Sequence, residues 1–276
     1  MITDKINFGV RGHDISADGL SELSQKLKEY SVTSVQLVLK KSCNGFREGM
    51  FSPSFANKIG KTFEENGVNI AILGCYINPS CTNEEALKAE MNYFVESLKY
   101  ARYMNAGVVG LETGFIGDTC DKERNNTEEA YQHLFKNMSV LRDAAEKLGV
   151  TIAVEGVSFF VINSPERMHR LITELNSPNM AVIFDPLNLI TMENYESQEE
   201  LFEKMFSLLG EKIVAIHLKD FELTDGGIRQ CPLGKGIMNI PLLLSIIRER
   251  KPNIPVILEE VKEDDLVRSL EYLNGI

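Results

Sequence analysis

Glu155, Asp185, His217 and Glu259 are the residues of this sequence whose types and spacing could do chemistry together. Each stands at or just past the C-terminal end of a short apolar run: TIAVEG, MAVIFDP, IVAIHLKD and PVILEE. They lie about 30, 32 and 42 residues apart, the length of one strand, one helix and two loops in a repeating parallel α/β unit. Three carboxylates and one imidazole delivered to one rim would hold a single divalent metal ion. Hard oxygen donors with one nitrogen suit Mn²⁺ first, then Mg²⁺ or Co²⁺; Zn²⁺ is accommodated, although no thiolate favours it. Without a cation, such a ring of acids would repel itself.

The elements that must position these residues form a repeat. Eight strand-like runs, INFGV, SVQLVL, NIAILGC, GVVGLE, TIAVEG, MAVIFD, IVAIHLKD and PVILEE, are short and rich in Val and Ile, as strands buried on both faces are. Amphipathic stretches alternate with them, for example Leu134, Met138, Leu141, Ala145 and Leu148 at helical spacing. Gly107 and Gly149 read as helix stops, and Ser164-Pro165-Glu166 as a capped helix start. Eight β-α units without a Gly/Ser-rich linker predict one α/β domain over 1–276, a single (β/α)8 TIM barrel rather than an open doubly wound sheet. In such a barrel the active site lies at the C-terminal ends of the strands. The four residues, on units five to eight, would converge on that mouth.

Bulk properties narrow the function classes. A net charge of -11 argues against a phosphate-backbone binder, so no nucleic acid is expected. No apolar run approaches a membrane span, and the segment MITDKINFGVRG lacks the long apolar core of a signal peptide. Cys43, Cys75, Cys81, Cys120 and Cys231 form no CxxC pair and suit reduced thiols. A cytoplasmic protein is expected, and a homo-oligomer is left open.

The chain resembles the sugar-phosphate isomerase/epimerase family with the xylose-isomerase-like barrel, whose members include ketose 3-epimerases, inosose dehydratase and endonuclease-IV-like enzymes. The resemblance rests on Glu155 in VEG, Asp185 in FDPLN, His217-Leu218-Lys219-Asp220, Gly234-Lys235-Gly236 and Glu259 in LEE. It spans the whole chain. The nuclease branch would need a three-zinc cluster and more histidines. Here Asp185-Pro186-Leu187-Asn188 carries an asparagine where that branch has histidine, and no Asp-x-His follows His217 in the loop FELTDGGIRQ. Only four histidines exist, and His133 and His169 are expected on exposed faces of outer helices.

The resemblance therefore implies one ion and carbonyl chemistry on a small-molecule sugar or sugar phosphate. By analogy with the ketose 3-epimerases, Glu155 and Glu259 would be ligands and also the acid and base. Proton abstraction next to a carbonyl would pass through a metal-bound enediolate, and using both faces or one would give epimerisation or isomerisation. Asn188 departs from the 3-epimerase pattern, where a histidine contacts the sugar, yet its amide can still donate to a hydroxyl. Lys219, two residues after His217 and on the same side of the strand, pulls towards a keto-polyol dehydratase like inosose dehydratase; the alternative is an ion pair with Asp220 or a neighbouring acid. A third reading is a non-catalytic sugar-binding barrel.

Secondary substrate candidates follow from position. His13, with Arg11, follows the first strand, and Glu112 closes the fourth. Tyr76 and Phe159 could wall a sugar. The Pro232-Leu233-Gly234-Lys235-Gly236 segment could cradle an anion through its amides or serve as a closing loop.

Overall fold

The computed structural model describes residues 6–276; the first five residues of the N-terminal segment weighed above lie outside it. Eight strands pair in parallel and close on themselves: β1 (Asn7–Arg11), β2 (Ser34–Leu37), β3 (Asn69–Gly74), β4 (Val108–Glu112), β5 (Ile152–Glu155), β6 (Met180–Phe184), β7 (Ile213–Leu218) and, last in the ring, the strand Pro255–Leu258 that pairs with both β7 and β1. The expected (β/α)8 barrel is the observed fold. Every residue of β2, β5 and β6 is buried, because helices cover the outside and side chains fill the inside.

The filling is layered. Ile72, Val108, Ala153, Ala181, Ile183, Ala215 and Ile257 form a compact inner cluster, whereas the alternate residues of the same strands join the larger layer beneath the helices. Strand side chains alternate with period two. A residue two places after an inner one therefore also faces the barrel axis, one level nearer the C-terminal rim. That rule positions the site.

Local chemistry explains the helix boundaries. Thr127 Oγ1 accepts from the Ala130 amide at 3.2 Å to open the helix Glu128–Leu148, which Gly149 ends at φ 63°. Ser164 likewise caps the helix Pro165–Leu175 through the Arg167 amide. Gly107 is not a stop: the preceding helix ends through a 3-10 turn at Asn105, left-handed at φ 55°, and Gly107 instead lets the chain pass close to the Ala71 carbonyl.

The chain after β7 departs from the eight-strand expectation. What reads as a loop is an antiparallel hairpin, β8 (Asp220–Thr224) and β9 (Gly227–Cys231), with Thr224 paired to Gly227 across the turn. Counting it, the Pro255–Leu258 strand is β10. The outer histidines are also less exposed than expected. His133 and His169 are both half-buried, and His133 Nε2 lies 3.0 Å from the Cys81 carbonyl. All five cysteines are free. Among the described residues no helix is long and apolar enough to cross a membrane.

Candidate metal centre

Period two places the site. Ala153, Ile183, Ala215 and Ile257 belong to the inner layer, so Glu155, Asp185, His217 and Glu259, each two places on, point into the mouth. Asp185 lies just past β6 as the cap of a short turn, its Oδ1 accepting from the Asn188 amide at 3.1 Å. All four are buried, with His217 wholly so.

One ligand atom each from Glu155, Asp185 and His217 comes within 4.8 Å of the others. His217 Nδ1 is 3.3 Å from Glu155 Oε1, 3.9 Å from Asp185 Oδ2 and 3.3 Å from Glu259 Oε1. Two of these atoms, His217 Nδ1 and Asp185 Oδ2, are buried without a hydrogen-bond partner. Buried polar atoms without partners are costly. Hard carboxylate oxygens beside an imidazole nitrogen, buried and converging on one place, fit a divalent cation. Glu259 stands at the edge of this trio: Oε1 faces His217, while Oε2 is 2.7 Å from Lys219 Nζ and 3.6 Å from Arg11 Nη1.

Lys219, again two places after an inward residue, enters the same space. Its Nζ lies 2.7 Å from Asp185 Oδ2 as well as from Glu259 Oε2. The Asp185 contact is an ion pair, so Lys219 and a bound cation would share that oxygen. Lys219 does not pair with Asp220. With three carboxylates in the centre, one ammonium and one divalent ion together balance the charge, so both can be present at once.

The fields follow. Burial alone would lower His217, but Glu259 and Glu155 outweigh it and raise the imidazole to about 9. Burial raises Glu155 despite the attraction of His217. Burial would also raise Glu259, yet His217, Lys219 and Arg11 hold it below the ordinary carboxylate range. Lys219 is raised, burial being overcome by Asp185 and Glu259. Glu112 pairs in register with Glu155 across β4 and β5; burial, then the Glu155 charge, lifts it to about 7.

The remaining candidates spread around this centre. Asn188 turns its amide onto Glu155, Nδ2 donating to Oε1 at 2.6 Å. Arg11 reaches Glu259 and pairs with Asp14 and Glu260. Asp14 Oδ2 also accepts the Glu260 amide at 2.7 Å, and Glu260 is left-handed at φ 58°. These contacts fix the turn that aims Glu259. His13 is half-buried and lines a cleft together with Asp14, Ser16 and Lys262. Phe159 is 48% exposed and packs edge-on against Phe160.

The glycine segment does not offer a free anion cradle. Gly234 and Gly236 both donate their amides to Asp220 Oδ2 at 2.9 Å, and Phe221 and Met238 donate to Oδ1. An internal carboxylate already fills that nest. Gln36 was missed by sequence reasoning. It is wholly buried, with Oε1 at 2.6 Å from His217 Nε2 and Nε2 donating to the Tyr76 hydroxyl at 2.7 Å. Its place two residues after Ser34 on an expected strand was the available signal; an uncharged amide simply drew no notice. Tyr76 thus spends its hydroxyl on Gln36 within the centre.

A sequence profile described as xylose isomerase-like TIM barrel matches residues 14–276. No curated protein matches the chain. Among solved structures, a D-tagatose 3-epimerase-like protein is similar with a TM-score of 0.78 at 19% identity, covering 98% of this chain and 96% of its own. The probable 3-DHS dehydratase AsbF from Bacillus anthracis is similar with a TM-score of 0.76 at 13% identity, over 98% and 99%. The IOLI protein, solved with a zinc atom, has a TM-score of 0.72 at 15% identity, over 98% and 96%. At these identities the likeness is one of fold.

Proposed function

The chain belongs to the xylose isomerase-like TIM barrel family, and from that premise we propose that it is a divalent-metal-dependent sugar epimerase or isomerase. The observation that carries the reading is the buried convergence of Glu155, Asp185 and His217, one ligand atom of each lying within 4.8 Å of the others. Glu155, Asp185, His217 and Glu259 would hold one ion, Mn²⁺ being the best match to the donors. Once bound, the ion would polarise a substrate carbonyl and its neighbouring hydroxyl, lowering the cost of removing the proton between them.

The chain's own residues do the rest. Glu259, held ionised between Lys219 and Arg11, takes the proton from the carbon beside the carbonyl. Glu155, desolvated and steadied by the Asn188 amide, returns one to the opposite face, and the centre inverts. If the proton is instead returned on the same face to the neighbouring, former carbonyl carbon, and a proton passes between the two oxygens, the carbonyl migrates and the product is an isomer. The occupied Gly234 and Gly236 amides support an unphosphorylated sugar over a phosphate ester. The net charge of -11 supports a small molecule over nucleic acid, and the free cysteines suit a reducing cytoplasm.

A dehydratase of a keto-polyol is favoured by one observation: an ammonium 2.7 Å from Glu259, where it could protonate a leaving hydroxyl. The structural neighbours include both an epimerase-like protein and a probable dehydratase. One experiment separates the readings. The Mn²⁺-loaded protein is incubated in deuterated water with a panel of ketoses and keto-polyols. Carbon-bound deuterium in a recovered sugar supports epimerisation or isomerisation. A new ultraviolet-absorbing enone, lost in Lys219→Ala, supports dehydration. Neither signal in any member of the panel counts against proton abstraction altogether.

A further inference from the structure

We infer that Gln36 sets the metal-binding face of His217, a positioning role relayed from Glu259 inside the barrel mouth. The inference rests on reading the centre as a divalent-ion site. The register between β2 and β3 shifts between Val35 and Gln36, an irregularity of the kind that re-aims a side chain. Three polar contacts then leave the amide one orientation.

The first contact is Glu259 Oε1, 3.3 Å from Gln36 Nε2. The other oxygen of that carboxylate faces the Lys219 ammonium, so Oε1 only accepts, and the NH2 end of the amide must face it. The second is the Tyr76 hydroxyl, which takes the remaining N–H at 2.7 Å. The carbonyl end is thereby committed to His217 Nε2 at 2.6 Å. A carbonyl cannot donate, so Nε2 keeps its hydrogen. The lone pair of the neutral ring then lies on Nδ1, the atom that faces Glu155, Asp185 and Glu259. In the opposite tautomer two lone pairs would meet at Gln36 and an N–H would point at the ion. Glu259 and His217, two of the four candidate ligands, are thus coupled through a residue of β2.

Outer partners of this kind change metal affinity by about 10- to 100-fold when removed. The test compares wild type and Gln36→Leu by Mn²⁺ and Co²⁺ titration calorimetry and by the visible spectrum of the Co²⁺ forms. Leucine removes the acceptor that faces Nε2. The expected result is that Gln36→Leu binds about 10- to 100-fold more weakly with altered Co²⁺ bands. Leucine binding as tightly as wild type, with unaltered bands, overturns the inference and leaves the metal site standing. Wild type that takes up no ion overturns both. Nitrogen-15 NMR of the Zn²⁺-loaded wild type needs no variant to fold: His217 should carry its hydrogen on Nε2, and a hydrogen on Nδ1 overturns the role.

Discussion

Lys219 is the side chain whose removal separates stability from metal affinity. It is the ammonium nearest the three buried carboxylates, 2.7 Å from both Asp185 and Glu259. Lys219→Met should therefore destabilise the metal-free protein by about 3 kcal/mol, the cost of leaving buried charge uncompensated. The same change removes a competing cation, so Mn²⁺ should bind more tightly to the variant and restore much of the loss. Urea denaturation with chelator and with Mn²⁺ reads both effects; weaker Mn²⁺ binding in the variant would contradict the shared-charge account. A pH dependence follows from His217, raised to about 9 in the metal-free protein. The ion requires the neutral ring, so its binding expels a proton. Affinity should climb with pH by up to about tenfold per unit and level off above about 9. Calorimetry near pH 7.5 in buffers of differing ionisation enthalpy should show at least one proton released; none released refutes it. Glu155, Asp185, His217, Glu259 and Lys219 were legible in the sequence because charged residues closing apolar runs stand out. Gln36 was not, since its importance lies in which three atoms it meets, and those come from β7 and from just past the ends of β3 and β10.

At the scale of elements, the hairpin of β8 and β9 is held from outside itself. Its strands carry exposed partners such as Glu222 and Arg229, and what anchors it is the Asp220 carboxylate accepting four backbone amides. This explains why the eight barrel strands could be read from sequence while the hairpin read as a loop. The barrel strands are continuous apolar runs, whereas the hairpin is polar on its outer side and depends on contacts up to the Gly236–Met238 stretch. Asp225-Gly226-Gly227 was a turn signal without an apolar alternation to support it. Two glycines test the arrangement. A Cβ at Gly236 would collide with the Phe221 carbonyl and the Asp220 carboxylate, while one at Gly226 meets nothing nearer than Thr224 Oγ1 at 3.8 Å. Gly236→Ala should cost about 2 kcal/mol and expose the Gly234 and Met238 amides to fast hydrogen exchange. Gly226→Ala should leave both stability and exchange unchanged. Equal effects of the two substitutions would mean that Asp220 does not organise this segment.

At the scale of the whole molecule, the candidate ligands come from β5, the β6 edge, β7 and β10, four strands that together make half the barrel wall. An ion held there ties strands far apart in the chain, so its binding belongs to global unfolding and not to a loop. Ligand linkage then gives about 4 kcal/mol at an ion concentration a thousandfold above Kd. For 276 residues, the unfolding entropy is roughly 0.6 kcal/mol per kelvin, which turns that free energy into a rise of about 7 °C in Tm. The chain's net charge of -11 supplies a competing explanation, because any cation relieves self-repulsion in an acidic protein. The two differ in selectivity. Screening depends on ionic strength and would be matched by NaCl, whereas a centre of three carboxylates and one imidazole distinguishes Mn²⁺ from Ca²⁺, which prefers an all-oxygen shell. Differential scanning calorimetry of chelator-treated protein should therefore show a larger shift with Mn²⁺ than with Ca²⁺ at equal ionic strength, and the excess should vanish in Asp185→Asn. An identical shift with Mn²⁺, Ca²⁺ and NaCl would assign the effect to the charge of the surface and remove the ion from the barrel.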